Sequence, residues 1–246
     1  MRDTREPRGF LVPFYAGVLR VKKTAVLIDA GFVRALLPKK LGIADVTRII
    51  ESLSFACVSP REGEELHRIL YYDCPPYAAV GPQSPHPLDP TRMPTSAGYR
   101  NFWNSVHTIL KGKPYFSVRL GEVSFEGWAL TNRATSELLS HRRSPAADDF
   151  APVLRQKGID LQIGLDVALM AKDRLIDRIV VVSADADIAP AMKFARNEGV
   201  QVVLAALGHK TKLSLREHAD LYRPIDVPAV IAAIYPEGLP ARLSRN

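Results

Sequence analysis

The chain has 246 residues, 47% of them hydrophobic and 24% charged, so it can bury a substantial core and is neither a disordered nor a fibrous chain. Its 33 Lys and Arg against 26 Asp and Glu leave a net charge of +7 and a pI near 9.5, a balance that suits a polyanionic partner such as nucleic acid. Cys57 and Cys74 are the only cysteines, with no Cys-x-x-Cys and no paired His spacing; this argues against a disulfide framework or a zinc site and makes the cytoplasm the default compartment.

Residues 1–23 read as an N-terminal arm. The apolar run Gly9 to Leu19 follows Arg2, Arg5 and Arg8, but Asp3 and Glu6 interrupt the basic stretch, Pro13 breaks the segment and no small-x-small cleavage site follows. It is too short to span a membrane. A first strand is predicted over Thr24 to Ala30, a helix around Asp45 to Val58, and a second strand over His67 to Asp73. Cys74 to Gly98 is so rich in Pro that it must be irregular. An amphipathic helix follows from Gly98 to Gly112, with Phe102, Val106, Ile109 and Leu110 along one side. Tyr115 to Leu130 has strand character with a break or bulge at Gly121, and the polar stretch Thr131 to Pro152 reads as a mobile loop. Next come a helix over Lys157 to Asp173, a strand in DRIVVVSA, a helix in IAPAMKFARNEG and a strand in VQVVLAAL. A short helix around Leu213 to Asp220, an extended LYRPI and a final helix from Val227 to Tyr235 complete the pattern.

This alternation predicts βαβ units and an α/β fold with a central, mainly parallel sheet. One domain is expected over 24–235, carrying a variable insertion at about 77–152 and a C-terminal tail at 236–246. In such a sheet ligands collect at the carboxyl ends of the strands. Asp29 stands at the carboxyl end of the first strand; Asp185 and Asp187 follow the wholly β-branched run Ile179 to Val182. Two neighbouring carboxylates repel unless a cation neutralises them, although an Asp after a strand also serves as a helix cap, and Asp187 could do that alone. Asp166 lies among Ile163, Leu165, Val167 and Leu169. A carboxylate on a face that packs against a sheet is costly without compensation, and a solvated helix stripe is the plain alternative. Asp160, six residues away, falls about 120° from Asp166 around a helix, so both cannot easily face one ion; Asp160 is expected to cap the helix or position Lys157. Ser183 is expected to hydrogen-bond the loop or a phosphate.

VLIDAGF, YYDCPP (Tyr71 to Pro76), KGIDLQIGLDVALMA and VVSADADIAPAMKFARNEGVQVVLAAL together resemble the NYN domain family of the PIN-like nuclease superfamily, in its bacterial uncharacterised branch. The resemblance runs from about Thr24 to Ile225. It implies a three-layer α/β/α sandwich that hydrolyses RNA, single-stranded RNA in particular, with Mg²⁺ or Mn²⁺ held by Asp29, Asp166, Asp185 and Asp187. Two departures stand out. Many members carry Asn shortly after the first acid, where this chain has Ala30, Gly31 and Phe32, and the Gly usual between Ser and Asp is Ala184. The family also dimerises, and the apolar VPAVIAAIYP offers a surface for a homodimer.

An all-carboxylate site suits a hard divalent cation and needs no side-chain nucleophile. Basic residues placed to bring in the polyanion are Arg34, Lys39 and Lys40, then Arg142 and Arg143, then Lys210 and Lys212. A phosphohydrolase of the haloacid-dehalogenase kind would need a second Asp at position 31, which is Gly, and a response-regulator receiver would need an acidic pair at Asp29. A non-catalytic RNA-binding or scaffolding relative remains the alternative to an enzyme.

Overall fold

The computed structural model describes residues 21–38, 40–78, 85–141 and 143–238. The greater part of the N-terminal arm, part of the Pro-rich insertion, Lys39, Arg142 and the end of the tail lie outside the described residues.

Sixteen elements are described: β1 (Lys22–Asp29), α1 (Ala30–Leu36), α2 (Ile43–Ala56), β2 (Glu64–Asp73), α3 (Ala97–Lys111), β3 (Phe116–Leu120), β4 (Glu122–Leu130), α4 (Asn132–His141), β5 (Phe150–Lys157), α5 (Ile159–Lys172), β6 (Arg178–Val182), α6 (Ala189–Asn197), β7 (Gln201–Leu204), α7 (Leu213–Glu217), β8 (Leu221–Tyr222) and α8 (Val227–Ile234). Six strands form one sheet in the order β3-β2-β1-β6-β7-β8, and every pairing in it is parallel. Two unbroken apolar runs explain the centre. Ala25 to Ile28 and Ile179 to Val182 are buried on both faces, as strands covered by helices on both sides must be. Alternate residues feed two cores. Val26, Ile28, Val180 and Val182 pack with α2, α3 and Val227 of α8; Ala25, Leu27, Ile179 and Val181 pack with Ile163 and Val167 of α5 and Met192 and Ala195 of α6. The result is the expected three-layer α/β/α sandwich.

In α3 the buried side chains are Trp103, Val106, His107 and Leu110, while Ile109, expected to face the core, is exposed. The larger correction concerns residues 115–157. The strand-like stretch divides at Gly121: β3 stays at the edge of the main sheet, while β4 leaves it and pairs antiparallel with β5 as a separate ribbon. Thr131 to Pro152 is no loop. It holds α4 and the start of β5, and the ribbon closes its own small core, in which the His86 ring meets Trp128 and Phe150 edge-on at 4.5 and 5.5 Å. His86 Nδ1 accepts from the Leu88 and Asp89 amides, so Nε2 carries the proton and donates to the Ala147 carbonyl.

Gly121 is required at the branch between the two sheets. A Cβ there would lie 2.5 Å from the Lys157 carbonyl oxygen and 3.0 Å from Cys74 Sγ. Gly121→Ala should therefore force backbone apart and lower stability by about 1–3 kcal/mol, read as a drop in melting temperature by circular dichroism; an unchanged melt would show that this junction yields freely.

Candidate functional site

The order of the sheet reverses between β1 and β6, whose parallel register sets Ile28 beside Val182. The chain leaves both strands in the crevice where such sheets bind ligands. Asp29 ends β1 and caps α1, accepting the Phe32 amide at 3.2 Å on Oδ1. Its Oδ2 accepts the Ser183 hydroxyl at 3.0 Å, and Ser183, fully buried, accepts the Asp185 amide on the same oxygen at 3.0 Å. Ser183 thus ties the ends of the two strands together, and the turn residue read from the sequence has a definite partner. Asp185 in turn accepts the Asp187 amide at 3.1 Å and caps the short 3-10 turn Ala186–Ile188. The capping assignment is thereby exchanged: Asp185 is the cap, and Asp187 lies exposed within the turn.

A cavity of about 160 Å³ opens at this point, lined by Asp29, Gln156, Gly158, Ile159, Asp160, Ile163, Asp185 and Ile188. Three carboxylates from three segments reach it: the end of β1, the turn after β6, and the first turn of α5. Burial, and then the charges of Asp185, Asp187 and Asp29, raise the Asp160 carboxyl above its ordinary value, so these acids sense one another. Among the described residues none of the three forms a salt bridge. Nor, among those residues, do three His, Cys, Asp or Glu side chains draw into one group able to hold a metal ion. The donor chemistry fits a hard cation such as Mg²⁺, which keeps several waters and takes few protein ligands.

Asp166 does not join them. It lies about 120° from Asp160 around α5 and faces the edge of the sheet. There Arg119 of β3 donates to it from Nε at 2.9 Å and from Nη2 at 3.3 Å, and the Tyr72 hydroxyl donates at 3.0 Å. A carboxylate fully engaged by a guanidinium is neutralised already, and it is Asp160, not Asp166, that borders the cavity. Lys157 also falls outside the cavity: it ends β5, and its neighbours Gln156 and Gly158 line the wall while Lys157 does not.

Two of the expected phosphate contacts have structural duties instead. Arg34 reaches the buried Asp73 at 2.8 Å and lies 4.7 Å above the Trp103 ring. Arg143 is held by Asp149 at 2.5 Å and by Glu137 at 3.4 Å, and its hydrogen bonds bring the Asp149 carboxyl down to about 2. Lys40, Lys210 and Lys212 are exposed. The loop carrying Lys210 and Lys212 is placed at the crevice by His209, whose ring meets Phe32 edge-on at 5.2 Å, one hydrogen bond from Asp29.

Sequence reasoning passed over Asp73. It ends β2 beside Asp29 in the sheet, is 3% exposed, and accepts from the Cys74 amide at 2.7 Å and bonds His107 Nε2 at 2.8 Å besides pairing with Arg34. Because Arg34 belongs to α1, this buried group anchors the helix that Asp29 caps. The signal was present in YYDCPP, an acid closing an apolar run in the same way as Asp29.

Residues 125–226 match the family model of the NYN domain, a PIN-like nuclease domain family. The matched span contains Asp160, Asp166, Ser183, Asp185 and Asp187, and the resemblance read from the sequence stands over it. Among solved structures, the chain is similar to a protein of unknown function from Vibrio parahaemolyticus, at 19% identity and a TM-score of 0.44, over 84% of this chain and 94% of that one. No curated protein matches the chain. Among the described residues no helix is long and apolar enough to cross a membrane.

Proposed function

We propose that the protein is a divalent-metal-dependent ribonuclease that hydrolyses phosphodiester bonds of single-stranded RNA at the crevice between β1 and β6. The observation that carries this reading is the convergence of Asp29, Asp160 and Asp185 on one cavity at the point where the strand order reverses. These three would hold Mg²⁺ or Mn²⁺, with Asp187 close enough to add to the field, and such an ion supplies Lewis acidity and neutralises charge on a phosphate. Ser183 fixes the Asp29 carboxylate against the turn that carries Asp185. Lys210, Lys212 and Lys40 offer cations to the RNA backbone around the acids. The two free, buried cysteines suit a reducing compartment, the cytoplasm.

Purified protein should cut unstructured RNA when Mg²⁺ or Mn²⁺ is supplied and cease when EDTA is added. Binding without metal-dependent cutting would favour the non-catalytic RNA-binding reading, for which the lack of a closed three-acid group among the described residues is the supporting observation. RNA affinity should fall steeply with salt, because each Lys–phosphate contact releases counterions. A Lys210→Ala/Lys212→Ala variant should shallow the log–log salt slope by roughly 1.4 for a single strand, measured by fluorescence anisotropy in EDTA. An unaltered slope would remove that loop from the RNA path.

A further inference from the structure

Three tyrosines are well exposed among the described residues: Tyr99, Tyr115 and Tyr222, at 49%, 53% and 48%. Tyr115 precedes β3, at the amino ends of the strands and away from the acids. Tyr99 belongs to α3, whose buried apolar side chains lie in the core on the α2 side of the sheet. Tyr222 is placed differently. The register runs from Leu27 through Val181 and Leu204 to Tyr222 across β1, β6, β7 and β8, and the first three of these pack in the core under α5 and α6. Side chains alternate along a strand, so Tyr222 and Asp29, two residues beyond Leu27, stand on that same face. They are three strand spacings apart, about 14 Å across the sheet, and two residues apart along it, about 7 Å.

The fold asks little of this ring. Tyr222 packs in neither core and ends an edge strand of two residues. The ring is nonetheless held in place. Its hydroxyl shares a hydrogen bond with the Thr211 hydroxyl, and the Arg216 guanidinium lies 5.8 Å from the ring centroid, within cation–π reach. Thr211 sits between Lys210 and Lys212, so the loop that brings those lysines to the crevice also fixes the ring. Helix α7, which carries Arg216, packs against the turn Ala186–Ile188 that holds Asp187. The geometry points to Tyr222 as a stacking platform for one nucleobase of the RNA, a few nucleotides from the scissile phosphate on the β8 side. The assignment rests on the reading above, in which RNA enters the crevice between β1 and β6. Lys210 and Lys212 take phosphates on the way, and Tyr222 takes the face of a base. Every base has a π-face, so such a platform tolerates sequence; it favours single strands, whose bases are free to leave their neighbours.

The test is fluorescence anisotropy of the full chain in EDTA with two probes of equal length and charge, an oligouridylate and an abasic ribose-phosphate oligomer. Tyr222→Ala should bind the oligouridylate about 5- to 150-fold more weakly than the wild type, with an unchanged far-ultraviolet spectrum. Its log–log salt slope should stay that of the wild type, because no phosphate contact is lost. Tyr222→Phe, which keeps the ring, should bind like the wild type, and Tyr222→Leu, apolar but without a π-face, should bind like Tyr222→Ala. The wild type should prefer the oligouridylate to the abasic oligomer by a comparable factor, and Tyr222→Ala should lose that preference, which identifies ring and base as partners. Unaltered affinity in Tyr222→Ala, a shallower salt slope, Tyr222→Phe as weak as Tyr222→Ala, or a base preference that survives in Tyr222→Ala would each overturn the platform. Binding is read without metal, so a wild type that shows the coupling but cuts nothing keeps the platform and overturns the nuclease reading alone. A wild type that cuts RNA while Tyr222→Ala binds as tightly does the reverse, and a wild type that binds neither probe overturns both.

Discussion

Asp160→Asn should abolish RNA cleavage with the fold intact, whereas Asp166→Asn should leave most of the activity. The two acids lie six residues apart on α5, but only Asp160 borders the cavity with Asp29 and Asp185. On the proposed function these three carboxylates would hold the cation, and removing one would forfeit several kcal/mol of charge stabilisation in the transition state, on the order of a thousandfold or more in rate. Stability should move the other way. The Asp160 carboxyl is raised by burial and by its acidic neighbours, so at neutral pH its charge works against the folded state, and Asn keeps the shape while removing the repulsion. The melting temperature of metal-free Asp160→Asn should equal or slightly exceed that of the wild type. Asp166 is structural by the same measure: Asp166→Ala strips Arg119 of its partner and leaves the buried Tyr72 hydroxyl unpaired, at a cost of about 1–3 kcal/mol. An Asp166→Asn protein as inactive as Asp29→Asn, beside an active Asp160→Asn, would return the role to Asp166.

Glu64→Gln should be the most destabilising conservative change in the molecule. At the opposite end of the strands from the acids, the Glu64 side chain is wholly buried and accepts from Arg178, itself 2% exposed, and from Arg223 at 2.8 and 2.9 Å. It also accepts the Ser59 amide. Glu62, half exposed, would be left as the acidic partner of both arginines. Breaking a buried pair on one side costs about 3–5 kcal/mol, a large fraction of the roughly 5–15 kcal/mol that holds a domain together. Burial alone would raise the Glu64 carboxyl, but hydrogen bonds from Arg223, the Ser59 amide and Arg178 outweigh it and bring the value below the ordinary 4.5. The native state then binds fewer protons than the unfolded state in the acid range. The contribution is fully present above the ordinary carboxyl value and is lost as pH falls through the lowered one. Urea melts from neutral pH downward should show the wild type losing stability through this window and Glu64→Gln, already weakened, losing less. Parallel acid limbs would assign the acid sensitivity to other groups.

The sequence made β1, β6 and β7 legible because their apolar runs are buried on both faces, and it made Asp29, Ser183 and Asp185 legible because polar residues close those runs abruptly. It misdirected on α5 for a physical reason. A helical wheel separates Asp160 from Asp166, but Leu161, Leu165 and Leu169 on one face balance Ile163, Val167 and Met170 on the other, so the pattern carries no sign of which side meets the sheet. In α4 only Ala134 is buried, too little periodicity to distinguish a helix from a polar loop. The ion pairs that engage Arg34 and Arg119 come from β2 and α5, partners that composition cannot foresee.

The reversal of strand order between β1 and β6 also sets the order of events during folding. Ser183 and Asp29, which meet across that junction, are 154 residues apart in the chain, and contacts of such separation form late because a long loop must close first. During synthesis at about 5–20 residues per second, β1 waits roughly 8–30 s for its neighbour to emerge. Until then one edge of β1 is open and its apolar run is covered only by what has already been made, chiefly α2 and β2. The β4–β5 ribbon, closed locally by its aromatic cluster, needs no such wait. Slow closure at the centre and fast closure at the periphery make the interval before β6 arrives the period when the nascent chain is most exposed to aggregation, and a chaperone that shields β1 should raise the yield of folded protein more than one that acts after release.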